Sequence, residues 1–185
     1  SFSGLYTDSK FNNLFKNINP KKSQISKIAP CQNVKSYVFS DFEKFFINIK
    51  EKDSTLVPSE LAKTFLNTTQ EIGCIKTSNG IIVALHSLDI DRSIEALSEQ
   101  QEALKVFRST PIFKFSDDSI FEKSFGSIIP TIKASYYSIL DDFIVFSESE
   151  DSMEDIISKF SNKNTLSENQ DYKNIQEVLS DEVSY

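Results

Sequence analysis

The sequence contains few of the residues that interrupt regular structure. Its 185 residues include four glycines, five prolines and no tryptophan. A composition this poor in glycine and proline excludes collagen-like and low-complexity chains. It also provides no P-loop and no Gly-x-Gly-x-x-Gly motif, the glycine-rich loops that hold phosphates and dinucleotides. Nucleotide binding through such motifs is therefore not expected.

Metal ligands of the nitrogen and sulfur type are equally scarce. His86 is the only histidine, and the two cysteines, Cys31 and Cys74, are 43 residues apart. Because a structural zinc site uses four such ligands, none is expected. The cysteines are either two free thiols, with Cys74 buried in a strand, or one disulfide. The sequence leaves both possibilities open.

Long hydrophobic runs are absent too. The longest, residues 81–85, has five residues, whereas a membrane-spanning helix needs roughly 18 or more. The sequence begins at Ser1 without the basic and apolar regions of a signal peptide. We therefore expect no transmembrane segment in residues 1–185, and we expect this chain to be a single domain from a longer, processed protein.

What the chain does contain is acidic charge and phenylalanine. There are 27 acidic and 20 basic residues, giving a net charge of −7, and the 16 phenylalanines help to bring the hydrophobic fraction to 39%. A negative surface repels phosphate backbones, so nucleic acid is not an expected partner. A chain of this length and composition can bury a core of its own without disulfides or metals.

Two stretches of the sequence follow the same plan at an offset of 62 residues. Residues 73–97 and 135–159 each show an apolar strand, a turn, a second apolar strand and a helical pattern. The turns are Asn79-Gly80, for which a type I′ geometry with two positive φ angles is predicted, and the weaker pair Asp141-Asp142. We predict two strand-turn-strand-helix repeats, over about residues 72–107 and 134–161.

A shorter upstream segment resembles part of this unit. Residues 37–40 read as a strand, and Asp41 is placed to cap a helix that carries Phe42, Phe45 and Phe46. The tripeptide at residues 38–40 repeats at residues 145–147. We predict an incomplete third copy here.

The remaining patterns predict shorter elements. Helices are expected over residues 8–17, from Pro58 onward, and after a capping box at residues 167–170; strands are expected at residues 111–115 and 183–185. The candidate N-cap of the second repeat helix is Ser149, and that of the first is either Asp89 or Asp91.

Hairpins joined to helices predict an α+β fold, with an antiparallel or mixed sheet and helices packed on one face. The second strands of the repeats are almost continuously apolar, so they are predicted to be central. Tyr136 and Tyr137 should present one ring to each face of the sheet.

From about residue 131 to residue 185 the chain resembles an uncharacterised family of bacterial cell-envelope proteins, exported or lipid-anchored. The residues that carry the resemblance are Tyr136-Tyr137, residues 140–147, Ile156-Ile157 and residues 179–183. The resemblance implies a location in the cell envelope, in the periplasm or anchored to the outer membrane. It implies no catalytic residues.

His86 is the most conspicuous candidate for chemistry, at the end of an apolar strand. A Ser-His-Asp arrangement would enlist Ser87 and Asp89, but such triads are assembled across a fold and not from sequence neighbours. No Gly-x-Ser-x-Gly elbow is present. We expect His86 to be a polar surface residue.

Acidic pairs offer the other possible site. Asp89 and Asp91 have the spacing of two calcium ligands, yet the glycine and the distal glutamate of an EF-hand are missing. Helix caps and turns explain these acids, and a weak calcium site is the less favoured alternative. We therefore assign no catalytic, cofactor-binding or metal-binding residue.

The phenylalanine stripe at residues 42–46 has two interpretations. It either packs in the core or forms an exposed aromatic patch that docks a protein or an apolar ligand. A small basic group at Lys21, Lys22 and Lys27 is expected to be a solvated surface.

These observations favour a non-catalytic interaction or scaffolding module of a bacterial envelope protein. The expected partner is another protein or the remainder of its own chain. The alternative function is binding of a small apolar ligand or lipid in an aromatic-rich pocket between sheet and helices.

Overall fold

A computed structural model describes residues 12–18, 22–32, 35–100, 102–126 and 132–178. These residues form one antiparallel sheet of seven strands in the order β1-β2-β3-β7-β6-β5-β4. The strands are β1 Lys35–Phe39, β2 Thr69–Thr77, β3 Gly80–Ser87, β4 Ala103–Phe107, β5 Thr110–Lys114, β6 Tyr136–Leu140 and β7 Phe143–Ser147. The predicted α+β class is confirmed, and of the two expected kinds of sheet, antiparallel or mixed, the protein has the antiparallel one.

Six α-helices accompany the sheet in the described part of the chain. They are α1 Phe42–Lys52, α2 Glu60–Leu66, α3 Ile90–Ala96, α4 Ile120–Phe125, α5 Glu150–Ser161 and α6 Gln170–Val178. Short 3-10 turns occur at Asn12–Phe15, Ile25–Lys27, Ser98–Gln100 and Leu166–Glu168. None of the helices in the described segments has both the length and the hydrophobicity needed to cross a membrane.

Helices and turns cover both faces of the sheet, which differs from the single covered face expected. Residues of α1 to α4 pack on one face, here called the α1 face, together with Val83, Leu85, Ile144 and Phe146. The opposite α5 face is covered by α5 and by the 3-10 turn Ile25–Lys27. Two covered faces follow from the apolar runs of β3 and β7, since side chains of a strand alternate between faces and each face must then be buried.

The central placement of these two strands is confirmed. β3 and β7 are hydrogen-bonded neighbours in the middle of the sheet, with Ala84 opposite Val145. The tyrosine pair also behaves as predicted. Tyr137 is buried on the α1 face, and Tyr136 packs against the cluster on the α5 face.

The predicted repeat is not confirmed. Both hairpins are followed by a helix, but α3 packs on the α1 face and α5 on the opposite face. The 62-residue offset also pairs Val83, on the α1 face, with Val145, on the α5 face. A shift of one residue reverses the face of every side chain in a strand, so the two units share an order of elements and not a common packing.

The first predicted repeat ends earlier than residue 107. Helix α3 ends at Ala96, and the apolar residues that follow belong to β4. β4 joins β5 through Arg108 and Ser109, whose φ angles are +47° and +66°. These positive angles at both loop positions are typical of a type I′ turn.

The hairpin at Asn79-Gly80 differs from its prediction. Its two-residue loop is Ser78-Asn79, because Thr77 pairs with Gly80. Gly80 has a φ of +141°, whereas Asn79 has no positive φ. Glycine is thus required at the first position of β3, not within a type I′ loop.

Helix starts were predicted with mixed success. Ser149 and Asp89 cap α5 and α3 by accepting bonds from backbone amides, as expected. α6 is capped by Asn169, whose side chain accepts a bond from the Tyr172 amide at 2.9 Å, and not by Ser167. Asp41 precedes α1 in a left-handed conformation and forms an ion pair with Lys44 instead of a side-chain cap.

Two predictions fall partly or wholly outside the described residues. Of the helix expected at residues 8–17, the described part is the 3-10 turn Asn12–Phe15. The strand expected at residues 183–185 lies outside the described part of the chain.

Candidate functional site

The first element of the candidate site is the free edge of β1. Among the described residues β1 pairs with β2 alone, in an unbroken register from Lys35 opposite Lys76 to Phe39 opposite Ile72. An edge strand presents unpaired backbone N–H and C=O groups along its outer side. Tyr37 is 53% exposed on this strand. The edge can therefore accept a further strand.

A groove lies beside this edge on the α5 face. Its volume is about 200 Å³, and its walls come from β1, from residues 23–29 and from the segment around α6. The apolar lining consists of Ile25, Ala29, Val38, Leu166 and Tyr172, and the polar lining of Ser23, Ser26 and Ser36. This mixture suits one or two small side chains of an extended segment.

The 3-10 turn Ile25–Lys27 forms one wall of the groove and is held on the sheet by close packing. Ile25 is 1% exposed and lies over Gly73 of β2. A Cβ atom at Gly73 would approach the Ile25 side chain to 2.8 Å. Glycine is needed here because no larger residue allows this approach.

A buried carboxylate holds the same turn from its amino end. Glu71 is 3% exposed, and its Oε2 accepts a hydrogen bond from the Gln24 backbone amide at 2.8 Å. Burial raises the pKa of Glu71, and the hydrogen bonds from Ser23, Gln24 and Ile25 oppose this shift. The Glu71 carboxyl group thus fixes the amino end of the 3-10 turn that forms this wall of the groove.

His86 lies next to this carboxyl group. It is directly opposite Glu71 in the β2–β3 register, and its ring is 5.0 Å from that of Phe143. Burial lowers the pKa of His86, an effect that Asp142 opposes and Lys27 reinforces. Within the described residues, His86 Nδ1 and Glu71 Oε1 are buried without a hydrogen-bond partner.

His86 is therefore half-buried in the sheet and not the surface residue expected. The structure does not bring it together with Ser87 and Asp89. Ser87 is on the other side of β3, where its Oγ lies 2.8 Å from Ser93 Oγ, and Asp89 caps α3. These hydrogen bonds connect the end of β3 to the start of α3.

The acidic groups considered from sequence have structural contacts. Asp89 Oδ1 accepts a bond from the Arg92 amide, Asp141 occupies a turn with φ +50°, and Glu150 pairs with Lys105 at 2.6 Å. In the segments that the structure describes, no three His, Cys, Asp or Glu side chains are grouped as metal ligands would be.

The phenylalanine stripe belongs mainly to the core. Phe42 and Phe45 are fully buried, and Phe46 is partly buried, with its ring 5.8 Å from that of Phe125. Rings from α1 and α4 thus occupy the space between sheet and helices where an apolar ligand was the alternative expectation.

Both cysteines are free thiols. Cys74 is buried, and burial raises its pKa to about 12, so it stays protonated. Cys31 Sγ donates a hydrogen bond to the carbonyl oxygen of Thr165 at 2.8 Å. Of the basic group considered from sequence, Lys21 lies outside the described residues, while Lys22 and Lys27 are exposed, as expected.

The groove could not be predicted from the sequence, because the residues that form its walls are far apart along the chain. Ile25, Val38 and Tyr172 meet only after the sheet and α6 have formed. The available signal was the polar start of β1, where Lys35 and Ser36 precede three apolar residues, as an exposed edge strand allows.

No protein-family model matches this sequence, and searches of curated proteins and of solved structures find no similar chain.

Proposed function

We propose that this protein is a non-catalytic interaction module that binds an extended segment of a partner protein along the free edge of β1. The observation that carries the proposal is the combination of an adjacent groove with a strand edge that no other described strand pairs with. In strand addition, backbone hydrogen bonds provide affinity and pockets for alternate side chains provide specificity. β1 and its groove supply both kinds of contact.

The other edge of the sheet suits this role less well. β4 carries the exposed residues Leu104 and Val106, but its register with β5 is irregular between Ala103 and Lys105. Bulges of this kind discourage further pairing. Lys105 is also engaged by Glu150 and Glu154 of α5. β1 combines a regular register with a pocket, and this favours it as the binding edge.

The dimensions of the groove support a peptide over a lipid. Pockets for small molecules usually enclose about 300–1,000 Å³. The groove beside β1 measures about 200 Å³. One or two side chains of an extended chain match this volume.

We further propose that the module acts in the bacterial cell envelope, as the resemblance of residues 131–185 implies. Fractionation of cells producing the full-length gene product tests the location. Recovery with periplasmic or membrane-anchored material would support it, and recovery with cytosolic material would contradict it.

The binding proposal can be tested with a library of displayed heptapeptides selected against the protein. Selected peptides should shift the backbone amide resonances of Lys35–Phe39, and Tyr37→Lys should weaken their binding. Val57→Lys is the matched control, since Val57 is 71% exposed and does not line the groove. Peptides that shift β4 instead of β1, or a selection that yields no binder, would overturn the proposal.

A further inference from the structure

The charges beside β1 indicate which kind of segment would bind there. Resting on the proposed function, we infer that the partner segment carries a carboxylate opposite Lys35 on the α1 face and apolar side chains in the groove on the α5 face. The inference uses the register of β1 and the position of two lysines.

Lys35 and Lys76 form a like-charged cross-strand pair at the end of β1. They are directly opposite in the register, and both side chains are exposed. Like charges in this position destabilise a sheet. No carboxylate of the described residues pairs with either lysine, although the chain as a whole has a net charge of −7. An incoming carboxylate would relieve this repulsion.

The alternation of β1 places these lysines and the groove on different faces. Lys35, Tyr37 and Phe39 share one face, and Phe39 is part of the core on the α1 face. Ser36 and Val38 face the other way and line the groove. A strand added to β1 alternates with the same period of two. Its side chain opposite Lys35 therefore meets the lysine pair, and the side chains beside Ser36 and Val38 meet the groove.

The lining of the groove explains why the side chains of the partner segment that enter it should be apolar. Ile25, Val38, Leu166 and Tyr172 provide hydrocarbon surface, and the three serines that accompany them carry no charge. None of the lining residues is a lysine or an arginine, so a carboxylate in the groove would lose water without meeting a cation in the lining, which is unfavourable. A small branched side chain such as valine suits this environment.

The experiment compares three fluorescein-labelled hexapeptides by fluorescence polarisation: (Val-Glu)₃, (Val-Ser)₃ and (Val-Lys)₃. At low salt the acidic peptide should bind about fivefold more tightly than the serine peptide, as expected for exposed ion pairs. Lys35→Glu and Lys76→Glu should each remove this advantage, as should high salt. Lys52→Glu is the matched control, because Lys52 is an exposed lysine at the end of α1.

The outcomes separate the inference from the proposed function. Equal binding of the acidic and serine peptides at β1 would overturn the acidic preference and leave strand addition in place. Binding of no peptide, with unchanged amide resonances in β1, would overturn both. If sedimentation equilibrium shows a dimer and none of the peptides displaces it, the edge is occupied by a second copy of the chain, and the inference fails.

Discussion

Glu71 and His86 stand directly opposite each other on β2 and β3, and each has a buried polar atom without a hydrogen-bond partner among the described residues. Burial shifts their pKa values in opposite directions, upward for the acid and downward for the base. Both shifts favour the neutral form, because a charge is costly where water is excluded. The pair therefore makes the stability of the fold sensitive to pH in two distinct ways.

For His86 we predict a loss of stability as the solution becomes acidic. The folded-state pKa lies below the ordinary 6.5, so the unfolded chain binds the proton first as the pH falls. The stabilisation is fully present above pH 6.5 and is lost as the pH falls through the folded-state pKa. Urea unfolding over a pH series should show this loss in the natural protein and not in His86→Gln. Because the chain has one histidine, proton NMR reads its titration directly, and a midpoint at or above 6.5 would contradict the prediction.

Glu71 makes the stability of the fold depend on pH in the opposite direction. Its folded-state pKa is raised above 4.5, so the associated stabilisation is present below pH 4.5 and is lost as the pH rises through the folded-state pKa. Glu71→Gln should abolish this dependence in the same unfolding series while keeping an oxygen for the Gln24 amide. Glu60→Gln, at an exposed position at the start of α2, is the control and should leave the profile unchanged. An identical profile for Glu71→Gln would count against a buried, perturbed carboxyl group.

Gly73→Ala should destabilise the protein by about 1–3 kcal/mol, the usual cost of inserting a methyl group into a tightly packed site. The new Cβ would meet the Ile25 side chain at 2.8 Å. Ile25→Ala removes the atoms that clash, so the double variant should lose less stability than the sum of the two single variants. A double-mutant cycle from chemical denaturation measures this coupling, and strict additivity would show that Ile25 does not lie over Gly73.

Ser109→Gly should stabilise the β4–β5 hairpin by about 1 kcal/mol, because a residue with a Cβ is strained in the left-handed region. Ser109 has a φ of +66°. Ser78→Gly is the matched control: Ser78 is also in a two-residue hairpin loop but has no positive φ, so this change should bring no gain. The test measures the melting temperature of each variant against that of the natural protein. An equal change in both variants would contradict the type I′ geometry at Arg108 and Ser109.

Ile144→Ala should cost about 2–5 kcal/mol, because Ile144 is buried in the centre of the sheet. Leu104→Ala, on the edge strand β4 where the side chain is 37% exposed, should cost much less. Equilibrium unfolding of the two variants tests the strand order. Similar losses at both positions would mean that β7 is not central.

Local patterns predicted much of the secondary structure. The apolar runs of β3 and β7 identified the central strands, and Ser149 and Asp89 identified the starts of two helices. These predictions succeeded because they depend on neighbouring residues alone: side-chain alternation, hydrogen bonds to the nearest amides, and burial of a continuous apolar segment.

The failures concern relations between distant segments. The apolar spacing from Ile90 to Phe107 fits a helix, yet pairing with β5 makes its last five residues, 103–107, a strand. Similar residues at an offset of 62 positions predict a repeat, yet the two helices that follow the hairpins, α3 and α5, pack on opposite faces of the sheet. Short amphipathic segments fit more than one structure, and tertiary contacts select among them.

The amino-acid sequence by itself determined the α+β class, the central strands and the starts of α3 and α5, because each follows from interactions within a few residues. Only the tertiary structure decided which face each helix covers, that β1 is an edge, and that Ile25, Val38 and Tyr172 enclose a groove beside it. Those features depend on the free energy of burying surfaces from distant parts of the chain against one another, which no local pattern contains.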